Sequence, residues 1–134
     1  MTTDAGIDIV EVARIRRLIR DRGDAFLLRW FTTDEIEYCG RKAMPERHFA
    51  ARFAAKEAVA KVLPGGWDGP LPWRSIEVTS TGTGRPTVCL TGTALDVARR
   101  TGIADIRISM SHCDEYATAI ALTTPHERGR PDDQ

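Results

Sequence analysis

The sequence predicts one folded domain that mixes helices with strands, and three observations carry that expectation. The chain has 134 residues, a size suited to one domain whose core forms without disulfides or a structural metal. Its 42% hydrophobic and 28% charged residues exclude wholesale disorder. The period of the apolar residues switches repeatedly between two and about 3.6. Nineteen basic residues balance nineteen acidic ones, so formal charge gives no support to a general nucleic-acid binder or a polybasic membrane binder. The domain is expected over residues 1–124, with residues 125–134, rich in charge and proline, as a disordered polar tail.

Ile7 and Ile9 alternate with Asp8, which predicts a buried strand over 5–10 with one carboxylate on the other side. Over 11–22 the period becomes helical. Val12, Ile15, Leu18 and Ile19 share one face, Arg14, Arg16, Arg17 and Arg20 the opposite arc, and Gly23 is the stop. Thr32 and Glu35 have capping-box spacing for a short helix through Cys39. Pro45 suits the first turn of a longer helix over 46–63, rich in alanine and ended by Pro64-Gly65-Gly66. Such small side chains let a neighbouring backbone approach. A loop follows, anchored by Trp67 and Trp73, then strands over 74–80 and 86–90 joined by Thr81-Gly82-Thr83-Gly84. A helix over 93–100 and strands over 105–111 and 116–122 complete the order. The three cysteines, Cys39, Cys89 and Cys113, have spacing that fits neither a disulfide framework nor metal knuckles, so they read as reduced, buried thiols. With no leader and no apolar run long enough for a membrane span, the expected location is cytoplasmic.

Two acids stand where apolar residues are expected. Asp8 interrupts an apolar strand, where it reads either as a functional carboxylate or as a cap for the next helix. Glu57 continues the Phe49 and Phe53 stripe, or else pairs with Lys61 one turn on. A hard divalent cation explains both acids together. Magnesium takes oxygen ligands and is usually held by one or two carboxylates plus substrate phosphates, while Arg52, Lys56 and Lys61 offer the charge that a polyphosphate needs. The same cations also read as a solvated basic edge. A serine hydrolase built from Ser109 or Ser111 with His112 and Asp114 is disfavoured, because adjacent strand residues face opposite ways. His112, at a strand end, suits a phosphate contact or a structural hydrogen bond. Gly82 and Gly84 are turn residues around Arg85.

Taken in order, Gly6-Ile7-Asp8-Ile9-Val10-Glu11, Arg52-Phe53-Ala54-Ala55-Lys56-Glu57-Ala58 with Lys61, Gly84-Arg85-Pro86, and Ser109-Met110-Ser111-His112 with Tyr116-Ala117 form a set. That set resembles the 4′-phosphopantetheinyl transferases of the holo-acyl-carrier-protein synthase type. The resemblance implies an α+β fold, an antiparallel sheet packed on a long central helix, and a homotrimer with active sites between subunits. It implies transfer of 4′-phosphopantetheine from coenzyme A to a serine of an apo acyl carrier protein of fatty-acid or polyketide synthesis, releasing adenosine 3′,5′-bisphosphate. By the same resemblance Asp8 and Glu57 match the acids that bind Mg2+. Arg52, Lys56, Lys61, Arg85, Pro86 and His112 fall in motifs lining the coenzyme A site. Arg14 matches the first-helix position that meets the acidic helix of the carrier, and Arg17 lies on the same face. A mechanism consistent with this has Mg2+ on Asp8 and Glu57 bind the pyrophosphate, with lysine and arginine, Lys61 among them, offsetting its charge; the serine attacks the β-phosphorus in line, and Glu57, directly or through water, is the base. Two departures from the family pattern are visible: Pro64-Gly65-Gly66 replaces the usual Gly-Thr-Gly, and Cys113 stands where threonine is common.

Two other classes compete. A noncatalytic module could use the arginine face to bind an acidic helix, but it has no need of two acids in apolar surroundings. A metal-dependent nucleotide phosphohydrolase needs the acids but no carrier-binding surface.

Overall fold

A computed structural model describes residues 3–65, 67–80 and 82–125. The element order is β1 (Ala5–Glu11), α1 (Val12–Arg22), α2 (Asp24–Trp30), α3 (Thr33–Gly40), α4 (Pro45–Val62), β2 (Ile76–Ser80), β3 (Pro86–Leu90), α5 (Gly92–Arg100), β4 (Ile103–His112) and β5 (Tyr116–Pro125). A single 3₁₀ turn, Trp73–Ser75, leads into β2. The expected α+β class and antiparallel pairing are present. The strands form two sheets rather than one: β1-β5-β4, with β5 central, and the β2-β3 hairpin. Pro125 closes β5 opposite Ile103 instead of opening a tail, and the remainder of the expected tail, 126–134, lies outside the described residues.

Helix α4 is the centre of the molecule. It packs against all three strands of the larger sheet and against α1, α3 and β2. Ala50, Ala51, Ala54, Ala55 and Ala58 are buried along it, and their small side chains permit the close approach expected from the sequence. The tightest approach is at Gly6, where a Cβ would lie 2.4 Å from the Ala58 carbonyl oxygen and 3.1 Å from Lys61 Cβ. Strand β1 can therefore lie against α4 only with glycine at this position.

That packing reverses the expected facing of β1. Gly6, Asp8 and Val10 turn toward α4, whereas Ile7 and Ile9 are each 65% exposed. Period-two alternation identified the strand but not which of its faces is buried. The register places Ile7 beside Ile120 and Ala5 beside Leu122, so the exposed isoleucines belong to a continuous apolar sheet face.

Helix α2 is absent from the expected order. Its seven residues are too few for a clear helical period, and it begins immediately after Gly23, whose φ of 53° breaks the chain direction at the end of α1. It places Phe26 against Phe31 and Phe53 and stacks Trp30 on Trp73 at 4.1 Å. Trp73 is thus an anchor of its loop, as expected. The cysteines divide: Cys39 is buried and its thiol pKa pushed up to about 12 by desolvation, while Cys89 and Cys113 are exposed, which corrects the expectation of three buried thiols.

Candidate functional site

The capping box forms as expected, with Thr32 N–H donating to Glu35 Oε1 at 2.8 Å and Glu35 N–H donating to Thr32 Oγ1 at 3.2 Å. Glu35 has a second role that its spacing did not disclose. It is buried, accepts from Val78 N–H at 3.0 Å, and lies 2.7 Å from Lys56 Nζ. Lys56 also donates to the carbonyls of Trp73 and Ile76. Its ammonium is wholly enclosed, and burial draws its pKa down against the upward pull of Glu35. Lys56 is therefore a core residue tying α4 to α3 and β2, a correction to its placement among the coenzyme A contacts.

Asp8 and Glu57 meet between β1 and α4. Asp8 Oδ1 is 3.3 Å from Lys61 Nζ, which also donates to the Ile7 carbonyl at 2.7 Å. Lys61 thus reaches across to β1, in place of the simple Glu57–Lys61 helix pair. Asp8 is no cap either: Glu11 stands at the N-cap of α1 and makes no side-chain cap bond. Glu57 is half-buried, and desolvation followed by the nearby Asp8 carboxylate raises its pKa, opposed by Lys61 and Arg14. Arg14, exposed on α1, sets its guanidinium 5.6 Å from the Phe53 ring centroid. Its charge therefore acts on Glu57 from α1, while Arg17 is exposed on the same helix.

A second feature is a cleft of about 750 Å³ lined by residues of α3, α4, the β2-β3 hairpin and β4. Arg52, Arg85, Pro86 and His112 all line it, while Asp8, Glu57 and Lys61 do not. One chain therefore gathers four of the six expected coenzyme A residues in the cleft, whereas Lys56 is enclosed in the core and Lys61 lies beside Asp8, apart from it. Arg52 is only 3% exposed. Its guanidinium lies 4.3 Å from the Tyr38 ring centroid and donates to Ser80 Oγ at 3.1 Å, but its buried Nε has no hydrogen-bond partner among the described residues. An orphaned donor of this kind calls for an anionic acceptor or water. Gly84, at φ 80°, turns the hairpin and carries Arg85 to the cleft, with Pro86 opening β3. On β4, the partly buried Ile108 and Met110 alternate with the exposed Ser109 and Ser111, and His112 at the strand end is itself exposed.

Sequence reasoning missed Tyr38 and His48. The Tyr38 phenol has its pKa lowered by its bond with Ser80 and by Lys42 and Arg52, despite partial burial. His48 lies against His112 with ring centroids 5.1 Å apart. Its position four residues before Arg52, hence on the same helix face, was a usable signal; Tyr38 comes from another helix and carried none.

The chain matches the family model described as the 4′-phosphopantetheinyl transferase superfamily over residues 4–121. It is 46% identical over 119 residues to the holo-(acyl-carrier-protein) synthase of Moorella thermoacetica, covering 89% of this chain and 91% of that protein. Among solved structures it is similar to the synthase of Neisseria meningitidis, with a TM-score of 0.79 and 33% identity over 90% of this chain and 96% of that one. It is also similar to the Helicobacter pylori synthase in complex with coenzyme A, with a TM-score of 0.78 and 28% identity over 90% of this chain and 100% of that one. With its motifs in order, its fold shared and nearly its whole length matched, the chain belongs to the 4′-phosphopantetheinyl transferase superfamily.

Proposed function

We propose that the chain is a magnesium-dependent homotrimer that transfers 4′-phosphopantetheine from coenzyme A to a serine hydroxyl of an apo acyl carrier protein. The observation that carries this reading is the orphaned, buried Arg52 Nε in a cleft that also gathers Arg85, Pro86 and His112. Arg52 and Arg85 offset phosphate charge there, and His112 supplies a nitrogen donor. The donor set at Asp8 and Glu57 fits magnesium: both groups are carboxylates, and Glu57, whose pKa is raised by burial and then by the neighbouring Asp8, is a site where a cation would favour the charged form. When bound, the ion would neutralise the pyrophosphate and favour displacement at phosphorus. Glu57 is the base for the serine proton, Lys61 holds Asp8 in place, and Arg14 and Arg17 meet the acidic surface of the carrier.

The trimer is supported by the outer sheet face. Ile7, Ile9, Tyr116, Ile120 and Leu122 are all exposed on it, a larger apolar surface than isolated exposed residues account for. Packing this face between copies would let the acid pair of one chain serve the cleft of the next. That arrangement supplies what a single chain lacks.

The test is to incubate the full chain with coenzyme A, magnesium and an apo carrier, and to weigh the carrier by mass spectrometry. A phosphopantetheine adduct is expected, with Glu57→Gln keeping coenzyme A binding but losing turnover. No adduct on any of several carriers refutes the transfer, and near-normal turnover by Glu57→Gln removes that residue from the chemistry.

A further inference from the structure

We propose that His48 is a further contact for a phosphoryl group of coenzyme A, and that it takes up a proton from solvent as that group binds. The inference rests on the coenzyme A reading of the cleft and adds to it a residue outside the recognised motifs. His48 lines the cleft one helical turn from Arg52, and its ring meets that of His112 edge-on at 5.1 Å. An anion placed beside Arg52 is then within reach of both imidazoles. A neutral imidazole offers one N–H, whereas the protonated ring offers two.

The fixed charges around His48 are mostly positive. Arg47 and Arg52 come from α4 itself and Lys42 from the segment before it, and the imidazole of His112 comes from β4. Of the acids nearby, Asp114 is already paired with Arg47, and Asp105 lines the cleft with Arg85 and Arg107. Tyr38 completes the wall. Burial, then His112, Arg52, Lys42 and Arg47, hold the His48 pKa below the usual imidazole value, so the ring is neutral in the free protein at neutral pH.

A phosphate among these groups reverses the balance, because it attracts the charged form of the ring. The proton comes from solvent and stays on the imidazole; no bond of the substrate changes. Because the bound pKa lies above the free one, the contribution of His48 to affinity is full below the free pKa and is lost as pH rises through the bound pKa.

Nuclear magnetic resonance of the full-length protein tests this directly, since the chain has only three histidines. Spectra of His48→Gln and His112→Gln assign the signals. The titration midpoint of His48 should rise by about one unit or more when coenzyme A saturates the protein, the size expected for an opposite charge at close range. The affinity of the unaltered chain should exceed that of His48→Gln by about tenfold in acid, one pKa unit being a factor of ten, and the two should converge in alkali. Dephospho-coenzyme A separates the sources: a rise that persists assigns the contact to the pyrophosphate, and one that vanishes assigns it to the 3′-phosphate. An unchanged His48 midpoint with coenzyme A bound overturns the proposal and leaves the cleft reading intact. Failure of coenzyme A to bind at all overturns both.

Discussion

At the scale of single residues, the chemistry of a side chain was easier to read than its partner. Lys56 and Glu57 are adjacent in one motif, yet the first is enclosed with Glu35 and the second is half-buried between Asp8 and Lys61. Helical geometry turns successive side chains about 100° apart, so adjacency in a motif does not mean a common site. The buried pair makes a specific prediction. Lys56→Met or Glu35→Gln alone should destabilise the fold by about 3–5 kcal/mol, because each leaves a buried partner uncompensated. The double substitution should recover much of that loss. Chemical denaturation of the four proteins measures it, and additive losses would show that the two groups do not depend on each other. Arg52 stands at the other extreme: it was selected from the sequence as a phosphate contact, and the structure adds a buried Nε without a partner among the described residues.

At the scale of elements, local signals located most helices and strands, within a residue or two at several of their ends. Thr32 with Glu35, Pro45 and Gly23 act at the positions their chemistry favours. The miss was α2, whose place depends on Phe26 and Trp30 finding Phe31, Phe53 and Trp73. Those partners are distant in sequence for the most part, and no local period announces them. The contact between β1 and α4 is testable through Gly6. A Cβ there meets backbone, which cannot rotate away as a flexible side chain can. Gly6→Ala should therefore cost about 1–3 kcal/mol, typical of overpacking, and should weaken turnover by moving Asp8 from Glu57. A denaturation midpoint equal to that of the unaltered chain would contradict the close approach.

At the scale of the whole molecule, the exposed sheet face and the separation of acid pair from cleft lead to one expectation. Ile120→Glu puts a charge in the centre of the apolar face, beside Ile7 and Ser109 in the register. The altered chain should sediment as a monomer with near-native helix content and should lose more than tenfold in turnover, by analogy with a buried unpaired charge at an interface. Light scattering with a carrier-modification assay reads both. A monomer with full activity would separate oligomerisation from catalysis.

The sequence by itself determined the chemical repertoire: two misplaced acids, a set of cations in motif order, an arginine arc on α1 and an alternation of helical and strand periods. These follow from residue type and spacing, which act locally. Only the tertiary structure decided that Ile7 and Ile9 face outward, that Lys56 belongs to the core, that His48 joins His112, and that the acids and the cleft lie apart. The reason is physical: which face of a strand is buried, and which of two adjacent charges is enclosed, depends on surfaces supplied by distant segments. Here most of those surfaces come from α4 and the strands laid across it.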